Sequence, residues 1–146
     1  MPSGLRDNNL KNSRHPSSPH WSLLGCGALG GVFASLLTQS GQPTRVLLSE
    51  RHRATLHPGI DFTSLKGHTQ LLAIERGFID KPGTIQRLLV MTKAGQVVSA
   101  LTPLVGKLAA GVPIVLLHNG MGIAEQVVQL FPHNPVIAGV TSHGAM

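Results

Sequence analysis

Cysteine is almost absent from this sequence. Cys26 is the lone thiol in 146 residues, which excludes an intramolecular disulfide. Tyrosine is missing and aromatics make up 3%, so a base-stacking nucleic-acid surface would have little to draw on. Acids are scarce: 6 Asp plus Glu stand against 12 Lys plus Arg, for a net charge of +6. Yet charged residues total just 12%, about half the usual share. The basic residues do not cluster beyond 45–53, which argues further against nucleic acid as a partner. No apolar run is long enough to span a bilayer, and the amino terminus lacks the apolar stretch of a secretory signal. With one free thiol, these absences point to a reducing cytoplasm.

What is present is 42% hydrophobic residues and 17 glycines, in a length suited to one domain. Residues 1–19 are rich in Pro, Ser and Asn and have no hydrophobic period, which predicts a disordered extension. From residue 20 onward, short apolar runs alternate with amphipathic ones. Strands are expected at 21–24, 45–48, 88–91, 114–117 and 136–138, and 50–58 is expected to be a loop. A hairpin is expected with Ile60, Phe62 and Leu65 before its Gly67 turn and 71–74 after it. Helices are expected at 28–39, 95–109 and 123–130, with Pro103 kinking or dividing the second. On the first helix, Leu29, Val32, Phe33, Leu36 and Leu37 form the apolar face. This alternation argues for an α/β fold, a mostly parallel sheet covered by helices.

The first strand runs into Gly25-Cys26-Gly27-Ala28-Leu29-Gly30, a G-x-G-x-x-G with a strand before and a helix after. That context marks a dinucleotide-binding, Rossmann-type doubly wound unit. Gly25 would permit the tight turn, Gly27 the approach of a pyrophosphate, and Gly30 close helix-to-strand packing. The helix N-terminus offers free N–H groups to phosphate. A thiol at Cys26 sits where a helix can activate it, but no histidine is adjacent, which favours a passive small residue.

The end of the second strand chooses the cofactor. A carboxylate there suits NAD; an arginine suits the 2′-phosphate of NADP. The segment reads Ser49-Glu50-Arg51-His52-Arg53, in which Ser49, Arg51 and Arg53 oppose one acid and tilt the choice to NADP. Lys93 in Thr92-Lys93-Ala94 follows the strand at 88–91, and His118-Asn119-Gly120-Met121-Gly122 follows the one at 114–117. Thr141, Ser142 and His143 follow the last. All would fall on the rim at the carboxyl ends of the strands, where open α/β sheets bind ligands. Asn119 suits an amide, hydroxyl or carbonyl; His118 suits either a general acid or a structural role, the latter being the commoner.

GCGALG at 25–30, TKAGQV with Lys93, HNGMG at 118–122 and GVTSHGA at 139–145 occur in this order and together resemble the ketopantoate reductase family. These are NADPH-dependent 2-dehydropantoate 2-reductases of pantothenate biosynthesis. The resemblance runs from about residue 20 to the last residue. It implies a pyrophosphate turn at Gly25, Cys26, Gly27, Ala28, Leu29 and Gly30. It places Arg51 at the 2′-phosphate, Lys93 and Gln96 on the cofactor side, Asn119 near nicotinamide and substrate, and Thr141 in a polar rim. Glu50, just before Arg51, departs from the pattern and keeps NADH open. In the family the catalytic lysine, and the residues holding the keto acid, belong to a second, helical domain that nothing here matches. The expectation is therefore a dinucleotide-binding domain at 20–146 with an incomplete sheet, no catalytic residue, no metal, the helical domain absent, and no turnover on its own. Two alternatives remain: a reductase of another 2-keto acid, or a stand-alone, non-catalytic NADP-binding module. Oligomeric state is not encoded in any motif here.

Overall fold

The computed structural model describes residues 20–52, 59–64, 66–118 and 120–142. The extension at 1–19, Arg53, Leu65, Asn119 and His143 therefore lie outside the described residues.

Six strands form one sheet: β1 (Trp21–Leu24), β2 (Thr44–Leu48), β5 (Glu75–Phe78), β6 (Arg87–Val90), β7 (Ile114–Leu117) and β8 (Val136–Gly139). Their order is β5-β2-β1-β6-β7-β8, and every pairing is parallel. β3 (Ile60–Thr63) and β4 (Thr69–Leu72) form a separate antiparallel hairpin, turned by Gly67 at φ 78°. The chain steps outward from β1 to β2, then crosses to β6 on the other side of β1. Such a reversal opens a crevice above the carboxyl ends of β1 and β6.

The apolar runs of β1, β2, β6 and β7 become strands because both of their faces are covered, as is usual in a parallel sheet. Alternate residues feed two cores. Leu24, Leu47, Leu88, Val90, Ile114 and Leu116 pack with Val97 and Leu101 of α2 (Val97–Leu101) and Val127 of α3 (Ile123–Leu130). Leu23, Val46 and Leu89 pack with Ala34 of α1 (Ala28–Gln39) and with Leu72 and Ile74. At the amino ends of the strands, Arg45 Nε donates to the fully buried Ser22 hydroxyl at 2.8 Å, tying β2 to β1. Beside them the Arg87 guanidinium stands 5.3 Å from the Trp21 ring centroid.

The second hairpin strand lies at Thr69–Leu72 and not at 71–74, and the loop expected from residue 50 opens with a 3-10 turn at Glu50–His52. Three departures are larger. α1 has the expected bounds but not the expected face. It buries Gly30, Ala34 and Ser35, while Leu36 is 50% exposed. The helix sits so near the turn before it that a Cβ on Gly30 would fall 2.2 Å from the Gly25 carbonyl oxygen. Small residues therefore face the sheet, and Phe33 and Leu37 pack from the flank. The Ser35 hydroxyl is satisfied by donating to the Gly31 carbonyl at 2.8 Å. Second, the helix expected over 95–109 is a 3-10 turn at Ala94–Gln96, then α2, then another 3-10 turn at Thr102–Leu104. Pro103 lacks an N–H to continue α2, and Gly106 at φ 80° reverses the chain. Third, β5 has no counterpart in the sequence reading. Its Glu-Arg-Gly-Phe shows no apolar alternation because it is a sheet edge, where charge discourages further pairing. Along the row Leu23–Leu89–Val115–Ile137, cover declines from 0% exposed at Leu23 to 52% at Ile137 on the opposite edge.

Candidate functional site

The crevice is built on the turn that joins β1 to α1. Gly25 adopts φ 92°, a left-handed conformation that favours glycine, and a Cβ there would meet the Thr92 backbone nitrogen at 2.7 Å. Gly30 allows the close seat of α1 already described. Gly27 differs: nothing lies within 4 Å of a Cβ built on it. Its openness serves no contact among the described residues, and it leaves room above the turn. The first helical bond runs from Gly31 N–H to the Gly27 carbonyl at 2.8 Å. The amides of Ala28, Leu29 and Gly30 thus precede any intrahelical acceptor. Gly27 supplies no side-chain cap, and the first turn holds no acid. These donors and the positive end of the helix suit an anion.

Beside the turn is a cavity of about 490 Å³ between the ends of β1 and β2 and the segment 96–103. Ile79, Ala100 and Pro103 line its apolar part; Cys26, Ser49, Arg51 and His52 line its polar part, with Thr92, Gln96 and Ser99 between. Arg51 and His52 stand in a 3-10 turn, Glu50–His52, whose backbone bond from His52 N–H to the Ser49 carbonyl measures 2.9 Å. The Ser49 hydroxyl and His52 Nδ1 are hydrogen-bonded at 2.8 Å. Glu50 is exposed and does not line the cavity. Burial pushes the Cys26 thiol above its ordinary pKa, despite the exposure of the residue as a whole. A helix N-terminus would do the opposite, so desolvation wins and the thiol stays protonated. Iodoacetamide labelling of Cys26 near pH 8 is therefore expected to be slower than that of a free thiol. Its pH midpoint should lie above the free-thiol value, and a bound ligand in the cavity should slow it further.

The remaining motifs meet at the ends of β6 and β7. A Cβ on Gly120 would fall 2.5 Å from the Ala94 Cβ, so the turn after β7 packs directly on the one after β6. Lys93 precedes that contact, exposed, and is absent from the lining of the cavity that Gln96 faces. The structure thus separates this lysine from the glutamine three residues on. His118 Nδ1 accepts the Gly120 N–H at 2.9 Å, so that nitrogen carries no proton. The ring's N–H is then at Nε2, which is buried without a partner among the described residues. This bond gives His118 a positioning role in the turn, and an acid role would require breaking it. Thr92 Oγ1, beneath the glycine turn, is likewise buried and unpartnered among the described residues. Thr141 is half-buried just past β8. Asn119 is outside the described residues.

Sequence reasoning did not select His52, Ile79, Ser99 or Pro103 as site residues. His52 had a visible signal, its place in the segment that ends β2. Ile79 had none, because it follows the unforeseen β5. Among the described residues, no cluster of three metal-binding side chains occurs, and no helix is long and apolar enough to cross a membrane.

A model of the ketopantoate reductase PanE/ApbA family matches residues 21–146. The chain is 31% identical over 124 residues to a 2-dehydropantoate 2-reductase of Shigella flexneri, covering 85% of this chain and 39% of that protein. It is 32% identical over 124 residues to that of Salmonella typhimurium, with the same coverage. Its fold matches a D-mandelate dehydrogenase solved with NADH and anilino(oxo)acetate at a TM-score of 0.72 and 18% identity, over 83% of this chain and 40% of that one. The chain spans about 39% of the length of these curated relatives.

Proposed function

The chain belongs to the ketopantoate reductase family, and from that membership we propose that it forms the NADPH-binding side of a 2-dehydropantoate 2-reductase. The observation that carries this reading is one juxtaposition. The open Gly27 and the uncapped N-terminus of α1 adjoin a cavity whose polar part holds Arg51 and not Glu50.

The residues present fit a dinucleotide. The free amides of Ala28, Leu29 and Gly30, with Gly25 and Cys26 shaping the turn, would hold the pyrophosphate. Ile79, Ala100 and Pro103 form an apolar floor suited to a flat base, and Gln96 offers an amide beside it. Arg51 would neutralise a 2′-phosphate, which favours NADPH over NADH. Lys93, Asn119 and Thr141 are assigned to the nicotinamide side on the strength of their motifs. When bound, the dinucleotide would supply hydride to the C2 ketone of ketopantoate, yielding pantoate. Within residues 20–146 we assign the cofactor-binding domain, and no side chain is assigned as the acid that protonates the ketone.

Calorimetric titration of the chain tests the reading. One molar equivalent of NADPH is expected to bind, more tightly than NADH, with no turnover when ketopantoate is added. Failure to bind either dinucleotide would overturn it.

A further inference from the structure

The glycine turn lies at the carboxyl end of β1, and the cavity with Arg51 lies on its β2 side. A dinucleotide carries a second nucleoside beyond its pyrophosphate. That half must cross the other way, over β6 and β7. β7 is two strands from β1, about 10 Å at the usual spacing. The segment that would meet the ligand there is the turn 118–122. Two contacts hold this turn, and both act at Gly120. A Cβ on Gly120 would fall 2.5 Å from the Ala94 Cβ and 3.4 Å from Ile123 Cγ1, so the turn is pressed between the one after β6 and the start of α3. The second contact is the 2.9 Å bond in which His118 Nδ1 accepts the Gly120 N–H. It spans i to i+2, the arrangement by which an Asn or Asp side chain closes an Asx-turn. His118 stands in for an asparagine, with a ring nitrogen in place of the amide oxygen. Its other nitrogen is buried without a partner among the described residues, so the turn takes the whole of the imidazole's hydrogen bonding there.

We propose that His118 is a positioning residue for the nicotinamide half of the dinucleotide. By tying Gly120 it fixes the turn after β7 against the turn after β6, and the ligand meets a preformed surface. The proposal rests on the reading that the crevice binds NADPH. Without the bond, the Gly120 N–H loses its acceptor and the turn gains conformations, so that ordering it opposes binding. The effect is confined to one half of the ligand. No residue of 118–122 lines the cavity assigned to the adenosine half. A general loosening of the fold would weaken both halves alike; a positioning role weakens one.

The test is titration of the full chain with NADPH and with 2′,5′-ADP, which carries the adenosine half alone, using the wild type, His118→Asn, His118→Ser and His118→Ala. Asparagine restores an acceptor for the i+2 amide, and serine restores it more weakly. His118→Ala is expected to weaken NADPH about tenfold, as the loss of one hydrogen bond would, and 2′,5′-ADP less than about twofold. His118→Asn should bind NADPH within about threefold of the wild type, with His118→Ser in between. The change in reduced-nicotinamide fluorescence on binding reads that half by itself and should follow the same order. Circular dichroism melts that match the wild type would show the fold unchanged. Equal losses for the two ligands in His118→Ala, unchanged NADPH affinity in it, or a His118→Asn variant as weak as His118→Ala would overturn the proposal. Should His118→Ala fail to fold, His118→Ser carries the comparison, and equal losses for the two ligands there would overturn it. A wild type that binds 2′,5′-ADP as tightly as NADPH would overturn it and leave the dinucleotide reading standing. One that binds neither would overturn both.

Discussion

Gly27→Ala is expected to fold as the wild type does and to bind NADPH about a hundredfold more weakly, a loss of about 2.7 kcal/mol. The two halves of that result come from the same observation. A Cβ at Gly27 meets nothing within 4 Å, and the backbone there, φ −77° and ψ −163°, is open to any residue. The cost to the fold is confined to the cap position, where alanine is poorer than glycine by less than about 1 kcal/mol. A thermal midpoint lowered by no more than about 5 °C follows. The space the methyl enters is the space above the helix N-terminus, where the pyrophosphate would lie. Fluorescence titration with NADPH, run beside a thermal melt, checks both parts. Unchanged binding would place the ligand elsewhere.

Gly30→Ala should show the reverse. Alanine in a helix interior ordinarily stabilises by about 0.8–1 kcal/mol over glycine. Here its Cβ would stand 2.2 Å from the Gly25 carbonyl oxygen, which is backbone in a tight turn with φ 92° and cannot swing aside. The helix must lift from the sheet, and the Ala34 and Ser35 contacts beneath it go too. The expected outcome is destabilisation of about 3 kcal/mol or more, lowering the melting midpoint by about 10 °C or more. A stabilised Gly30→Ala variant would show that the close seat of α1 is not real.

These two glycines also show how far the sequence could be read. The close packing at Gly30 was legible because the hexapeptide sat between a recognisable strand and helix; the pyrophosphate role of Gly27 rests on the binding test above. The face of α1 was not legible. Counting apolar residues favoured Leu29, Val32 and Leu36, but close approach rewards small side chains, and that is visible only once the sheet is in place. β5 escaped for a related reason: as an edge strand it is held by backbone pairing to β2, so Glu75 and Arg76 carry no hydrophobic signal. With β5 went Ile79 and hence the apolar floor of the cavity. The polar part was half visible. Arg51 and Ser49 stood out by chemistry, while the placement of His52 depends on a turn that brings residues three apart together. Lys93 and Gln96 were both placed on the cofactor side; Gln96 lines the cavity and Lys93 does not.

The stacked Trp21–Arg87 pair gives the molecule a reporter of its own. Trp21 is the sole indole in the chain, so all tryptophan emission comes from the first residue of β1. The glycine turn begins four residues later, at the other end of the same strand, roughly 13 Å away at the usual rise. Loss of the cation stack on unfolding would change the emission directly. A dinucleotide at Gly27 leaves that stack untouched and would be seen by energy transfer to its reduced nicotinamide instead. One chromophore can thus report folding and occupancy by two separate optical effects.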